Sequence, residues 1–306
     1  MYQLHNVVFI LFSFIMFSSC HGQKNTPKLS GPYLGQKPPG MTPELFAPGI
    51  LSTEANEFNA TFTLSGDAVY FTGRGKDGQD IMVIEYKEGI WQDRKLASFS
   101  SPFRDVDPFI TPDGKKLFFS SNRPIEGDEA EEDCDFWYVV KLPSDKWSEA
   151  KHLDNPSTKG KNDFYYVSTK DGDVYFSIFN DDGTGDLYYI LSTSKDQASI
   201  KFDYPINTKY NEHDPFVPPD GSYLIFSSNR PDGYGSNDLY ISFRNKEGTW
   251  NAPVNMGEDI NSEDYDYCPI LSPDGKYLFF SSSRSGNGDV YWVDAKILDD
   301  FKLSLE

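Results

Sequence analysis

An internal repeat constrains this chain more than any other feature. Residues 107–114 (DPFITPDG) lead into 117–124 (LFFSSNRP), residues 214–221 (DPFVPPDG) into 224–231 (LIFSSNRP), and residues 268–275 (CPILSPDG) into 278–284 (LFFSSSR). Two looser copies are 62–66 (FTLSG) into 69–74 (VYFTGR), and 166–172 (YVSTKDG) into 174–177 (VYFS). The copies recur at roughly fifty residues, a period that belongs to propeller blades.

Each copy has a physical logic. Pro-Asp-Gly is a turn signal, because Gly takes positive φ without a steric cost. It joins two short apolar runs into a hairpin. The second run is apolar at consecutive positions, as a strand covered on both faces must be. A third run begins at Asp80, Asp135, Asp186, Asp238 and Asp289, and a fourth element is expected at Trp91, Trp147, Phe202 and Trp250. Four short strands make one blade. The predicted fold is therefore all-β, a single five-bladed propeller of four-stranded blades, with six blades as the alternative. The last repeat shows three strands, while residues 45–51 form an unpaired strand near the start. That N-terminal strand is expected to complete the last blade, which leaves no long open sheet edge.

The Pro-Asp-Gly-Lys-x-Leu-Phe-Phe-Ser-Ser-x-Arg pattern at 112–123 and 273–284 resembles the TolB-type, WD40-like (PD40-type) propeller repeat, from about residue 42 onward. The resemblance implies a lipoprotein of the bacterial envelope. TolB carries a separate N-terminal domain that the repeat region does not include, so its partner-binding role is not transferred. Pectin-fragment-cleaving relatives with seven blades use His-rich metal sites, which four histidines do not reproduce here.

Residues 7–17 are apolar, too short to span a bilayer and of the length of a signal-peptide core. They end at Phe17-Ser18-Ser19-Cys20, which resembles a lipobox with Phe17 where Leu is usual. The expected layout is a lipoprotein signal peptide at 1–19, lipidation at Cys20, a flexible Gly/Pro/Lys/Gln tether at 20–41 and the propeller at 42–306. The expected location is the bacterial outer membrane, on the periplasmic or cell-surface side, with a monomeric propeller. Cys134 and Cys268 fall at different places in their repeats, so a bridge between them is not expected. A formal charge of −19 excludes nucleic acid, which needs a basic footprint.

Aligned without gaps, the repeats put Glu57, Asp105, Asn162, Glu212 and Asp266 at one position, before the innermost strand; one gap exchanges Asn162 for Asp163. His213 adjoins Glu212. These residues form the candidate ligand-binding ring at the channel mouth. A carboxylate ring could bind sugar hydroxyls, hold Ca²⁺ or hydrolyse a glycan. It could equally brace each blade against Arg74, Arg123, Arg230 and Arg284, which share its period. Asp181, Asp182 and Asp186, within 180–186 (NDDGTGD), weakly resemble a Ca²⁺ loop but lack the distal Glu; no other cofactor is indicated. Residues 126–133 (EGDEAEED) form an acidic insertion, either solvated or a docking patch. No Gly-x-Ser-x-Gly, His-Glu-x-x-His or phosphate-loop motif is present. The leading expectation is a non-catalytic binder of a glycan, a peptide or a protein partner. The rivals are a glycan-active enzyme and a structural subunit of an envelope assembly.

Overall fold

The computed structural model describes residues 29–75, 78–154 and 160–303. Its sheets are five, each antiparallel. Blade 1 is built from Phe58–Phe62, Ala68–Arg74 and Gln79–Lys87; blade 2 from Asp105–Ile110, Lys116–Ser121 and Asp135–Val140. Blade 3 comprises Asn162–Ser168, Val174–Phe179 and Gly185–Ile190, and blade 4 comprises Glu212–Phe216, Tyr223–Ser228 and Asp238–Phe243. Blade 5 comprises Asp266–Leu271, Tyr277–Ser282 and Asp289–Asp294. The five-bladed, all-β propeller is thus present, and six blades are excluded.

The hairpins follow from the turn residues. Gly114, Gly221 and Gly275 all sit at φ 70°. Each donates its N–H three residues back, to Thr111, Pro218 and Ser272. The middle strands are buried on both faces; Leu117, Phe119, Leu224, Phe226 and Leu278 are fully enclosed. Neighbouring blades therefore pack sheet on sheet, with separate apolar clusters between blades 1 and 2 and between blades 3 and 4.

The ring closes as expected. Glu44–Leu45 pairs with Asp289–Asp294, Glu44 opposite Trp292 and Leu45 opposite Tyr291. Phe46 follows into the core against Phe62, Phe279 and Trp292, and is fully buried. The outer strands elsewhere are only two residues long: Lys95–Leu96, Lys151–His152, Ile200–Lys201 and Val254–Asn255. They fall four residues after Trp91, Trp147 and Trp250, and two residues before Phe202. Trp147 and Trp250 instead make isolated bridges to Lys141 and Arg244. Trp91 lies in a further two-residue strand, Ile90–Trp91, paired with Tyr86 and Lys87, so the aromatic marks a strand in blade 1 and a single bridge in blades 2 and 4.

One boundary is corrected. Residues 29–41, read as tether, lie against the propeller. Trp91 donates its indole N–H to Gly31 O (2.8 Å) and its backbone N–H to Leu29 O. Leu34 is buried, and the Tyr33 hydroxyl donates to Asp274 at 2.9 Å. An apolar pair, Tyr33-Leu34, inside a Gly/Pro-rich stretch carries this docking. The last described element is a short helix, Ile297–Leu303, whose Ile297 and Leu298 are buried. The signal peptide and Cys20 lie outside the described residues.

Candidate functional site

The expected ring of carboxylates is not at the mouth. Glu57, Asp105, Glu212 and Asp266 are fully buried and form a latch inside their own blades. Four residues upstream of each stands Thr53, Ser101, Thr208 or Ser262, whose N–H and hydroxyl both donate to the carboxylate. An arginine completes the latch: Arg123 reaches both oxygens of Asp105, Arg230 reaches Glu212 and Arg284 reaches Asp266. Each guanidinium also donates to a carbonyl of the inter-blade linker: Phe99, Pro205 and Ile206, or Ile260. In blade 1 the partner of Glu57 is Arg94, at 2.7 Å, and not Arg74. Carboxylates buried with this many internal donors hold blade to linker.

Blade 3 requires the gapped alignment. Asp163 donates its N–H to Cys134 O, as Glu57 does to Gly288 O and Asp266 to Asn237 O. Asn162 matches Asn56 and Asn211 instead. All three accept a backbone N–H from a neighbouring loop, that of Cys134, Gly288 and Gly185.

The residues that converge on the axis lie two positions further on. Asn59, Asp107, Tyr165, Asp214 and Cys268 have φ of 50°, 57°, 60°, 54° and 50°. Each sits at a bulge where the innermost strand slips register against its neighbour. A bulge re-aims a side chain, here toward the channel. Pro108, Pro215 and Pro269 follow three of these residues; a proline is tolerated there because the ladder is already interrupted. The inverted N–H groups are met across the blade boundary: Asn59 donates to Ser281 Oγ, Asp107 to Thr72 Oγ1 and Asp214 to Ser177 Oγ. Convergence is seen in contacts between blades. Tyr165 of blade 3 donates its hydroxyl to Pro269 O of blade 5 at 2.6 Å. Cys268 Sγ lies 3.3 Å from Asp214 Oδ2, and Asn59 Nδ2 lies 3.4 Å from Asp107 Oδ1.

Above this ring opens a cavity of about 1410 Å³. Asp107, His213, Asp214 and Cys268 form its floor. Half-buried aromatic rings wall it: Phe58, Phe164, Phe179, Tyr188, Tyr265 and Tyr267. Arg104, Lys161, Asn162 and Asn180 add polar groups. Of the predicted mouth residues, His213 and Asn162 are therefore present. His213 is buried, with Nδ1 3.1 Å from Asp214 Oδ2 and Nε2 facing Asn237 Nδ2 (2.7 Å) and the Tyr265 hydroxyl (2.8 Å).

Burial, then the charge of Asp214, pushes the Asp107 carboxyl up to about 7. Burial likewise raises the Tyr265 and Tyr267 phenols and the Cys268 thiol well above their usual ranges. Cys134 is pushed up to about 11 by burial. Both cysteines are buried and unbridged, which suits inert thiols rather than nucleophiles.

The suspected Ca²⁺ loop is used internally. Asp182 Oδ1 accepts from the N–H and hydroxyl of Thr184, and Asp186 pairs with Lys201 at 2.7 Å and accepts from Asn180. Only Asp181 and Asp182 border the cavity. Among the described residues no three His, Cys, Asp or Glu side chains are grouped as a metal would require. The acidic insertion of blade 2 brings Glu132 and Asp133 to the rim.

Asn59, Asp107, Tyr165 and Asp214 escaped sequence reading as axial residues. The available signal was Asp-Pro, and Cys-Pro, inside a strand otherwise read as central, which implies a bulge.

No family profile and no curated protein matches the chain. Solved structures do. TolB from Acinetobacter baumannii aligns with a TM-score of 0.50 and 16% identity over 80% of this chain and 53% of its own. A putative TolB from Agrobacterium tumefaciens scores 0.48 at 15% identity, covering 74% of this chain and 70% of its own. An endo-arabinase from Bacteroides thetaiotaomicron scores 0.48 at 13% identity over 78% and 93%. The chain spans about half the length of the A. baumannii TolB it matches. At such identity the likeness is one of fold, and in fold this chain is similar to the TolB propeller.

Proposed function

We propose that this chain is an exported envelope protein, lipid-anchored at Cys20, whose propeller mouth binds a glycan. The observation that carries the reading is the cavity itself. Flat, half-buried aromatic faces beside amides and carboxylates suit a polyhydroxylated ring, whose C–H faces stack while its hydroxyls bond; a mostly preformed cleft with a few placed polar groups is the usual form of a binding site. The signal-like run and Cys20 support the address.

A second reading rests on the floor. Two carboxyls there, with Asp107 held above its ordinary range, are a pattern glycoside hydrolases use for acid and base. It moves the enzymatic alternative from the four latch carboxylates to Asp107 and Asp214.

Thermal unfolding against a glycan panel, with Ca²⁺ and EDTA arms, tests the binding reading. A ligand that binds only the folded chain raises the melting temperature by mass action. A glycan-dependent rise is expected, together with no release of reducing ends. A flat response to every glycan sinks the proposal; new reducing ends that Asp107→Asn abolishes establish the second reading.

A further inference from the structure

The rings of the mouth are joined into one arc. Phe58 of blade 1 meets Tyr267 of blade 5 at a centroid distance of 5.9 Å, and Tyr267 meets Tyr265 at 5.0 Å. Tyr265 stacks on His213 of blade 4 at 5.7 Å, and His213 meets Phe179 of blade 3 at 5.7 Å. Phe179 meets Phe164 at 5.6 Å, and the guanidinium of Arg104 covers Phe164 at 5.2 Å. All of these groups line the cavity. The arc thus runs around the channel from blade 1 through blades 5, 4 and 3 to the linker that enters blade 2. Neighbouring ring planes turn by 43°, 70°, 15°, 38° and 86° along it, so no single plane contains them. His213 is 2% exposed and joins the two arms rather than offering a face, whereas the Phe and Tyr rings are half-buried.

We propose that this arc binds a neutral, α-1,4-linked hexose chain of several units, which turns as it lengthens and follows the rings around the mouth. The proposal rests on the mouth binding a glycan and names the class. An α-1,4 linkage sets successive sugars at an angle, so the chain coils, whereas a β-1,4 chain runs as a straight ribbon. A ribbon laid across the mouth reaches rings along one line only. A coiling chain brings a C–H face to one ring after another, and each contact removes apolar surface from water. The charges of the cavity favour a neutral chain. Even without Asp107, the carboxylates of Glu132, Asp133, Asp181, Asp182 and Asp214 outnumber the cations Arg104 and Lys161, which disfavours a uronate or a sulfated sugar. Neutral hydroxyls both donate and accept, so they serve these carboxylates and the Arg104 guanidinium alike.

The experiment is calorimetric titration of the full chain in detergent with maltose, maltohexaose and cellohexaose at one pH and salt. Maltohexaose is expected to bind about tenfold more tightly than either of the others. Phe58→Leu and Phe164→Leu change opposite ends of the arc, and leucine keeps apolar bulk while removing the flat face. Each is expected to weaken maltohexaose binding about fivefold. Maltose, too short to reach both ends, is expected to respond to one of them at most. The comparisons of linkage and length use the wild-type chain alone, so they stand should a variant unfold. Equal affinity for the two hexamers overturns the turning chain and leaves glycan binding standing. No gain from maltose to maltohexaose, or a loss from only one end of the arc, would confine the ligand to one side of the mouth and overturn the arc. Binding of neither hexamer, with a melting-temperature rise on another glycan, overturns the α-1,4 class alone. A flat response to every glycan overturns the glycan reading with it.

Discussion

Asp105 and Asp107 sit two residues apart on one strand and serve opposite ends. Asp105 is sealed between Ser101, Ser121 and Arg123. Removing its carboxylate strands Arg123, whose side chain is 11% exposed, without its counter-charge. Breaking a buried pair from one side costs about 3–5 kcal/mol, so Asp105→Ala is expected to lower the urea midpoint strongly while leaving glycan affinity, corrected for folded fraction, unaltered. Asp107 is held near neutrality instead. A carboxyl raised from 3.8 to about 7 keeps its proton in the folded chain where the unfolded chain has lost it. Its contribution is therefore full below about pH 4 and is lost as pH rises through about 7. Asp107→Asn is expected to flatten the fall in melting temperature across that window, and an unchanged slope would contradict the assignment. The sequence placed Asp105 and Asp107 in the same motif, but a period-2 reading puts both on one face. The bulge between Val106 and Phe109 sends them apart.

The same logic governs the elements. The Ser-Ser pair that ends the middle strands of blades 2, 4 and 5, with Thr72 and Ser177 at its first position in blades 1 and 3, divides its labour: Ser121 and Ser228 bond their own blade's carboxylate, while Ser281, Ser177 and Thr72 accept an inverted N–H of the next blade. The pair was legible as a repeat, but its two directions were not, because only the stacked blades define them. Closure is the other element-scale device. Glu44–Leu45 contributes few ladder bonds, so most of the closing energy comes from Phe46, wedged among Phe62, Phe279 and Trp292 at centroid distances of 5.9, 5.1 and 5.0 Å. Burial of a large aromatic makes Phe46→Ala cost about 3–5 kcal/mol. Chemical denaturation is expected to show that loss, and a change under about 1 kcal/mol would mean that the strand pairing, not the wedge, closes the ring.

For the whole molecule, the charge of −19 and the apolar run ending at Cys20 bear on location more than on fold. Cells fed a labelled palmitate are expected to label the wild-type chain and not Cys20→Ala, with the variant leaving the membrane fraction. Label retained in the variant would remove Cys20 from the anchor. Residues 29–41 dock on blades 1 and 5.

Blade number, strand order and the closing strand were legible because they follow from local period, turn chemistry and double-sided burial, all of which one repeat states by itself. The candidate site was not. The repeated carboxylates looked axial because they recur, yet recurrence marks what every blade needs for its own latch. Which side chains reach the axis was decided by a one-residue bulge in each innermost strand and by five blades brought around one channel. Neither has a local signature beyond a proline out of place, so only tertiary structure could set Asn59 beside Asp107 and Cys268 beside Asp214.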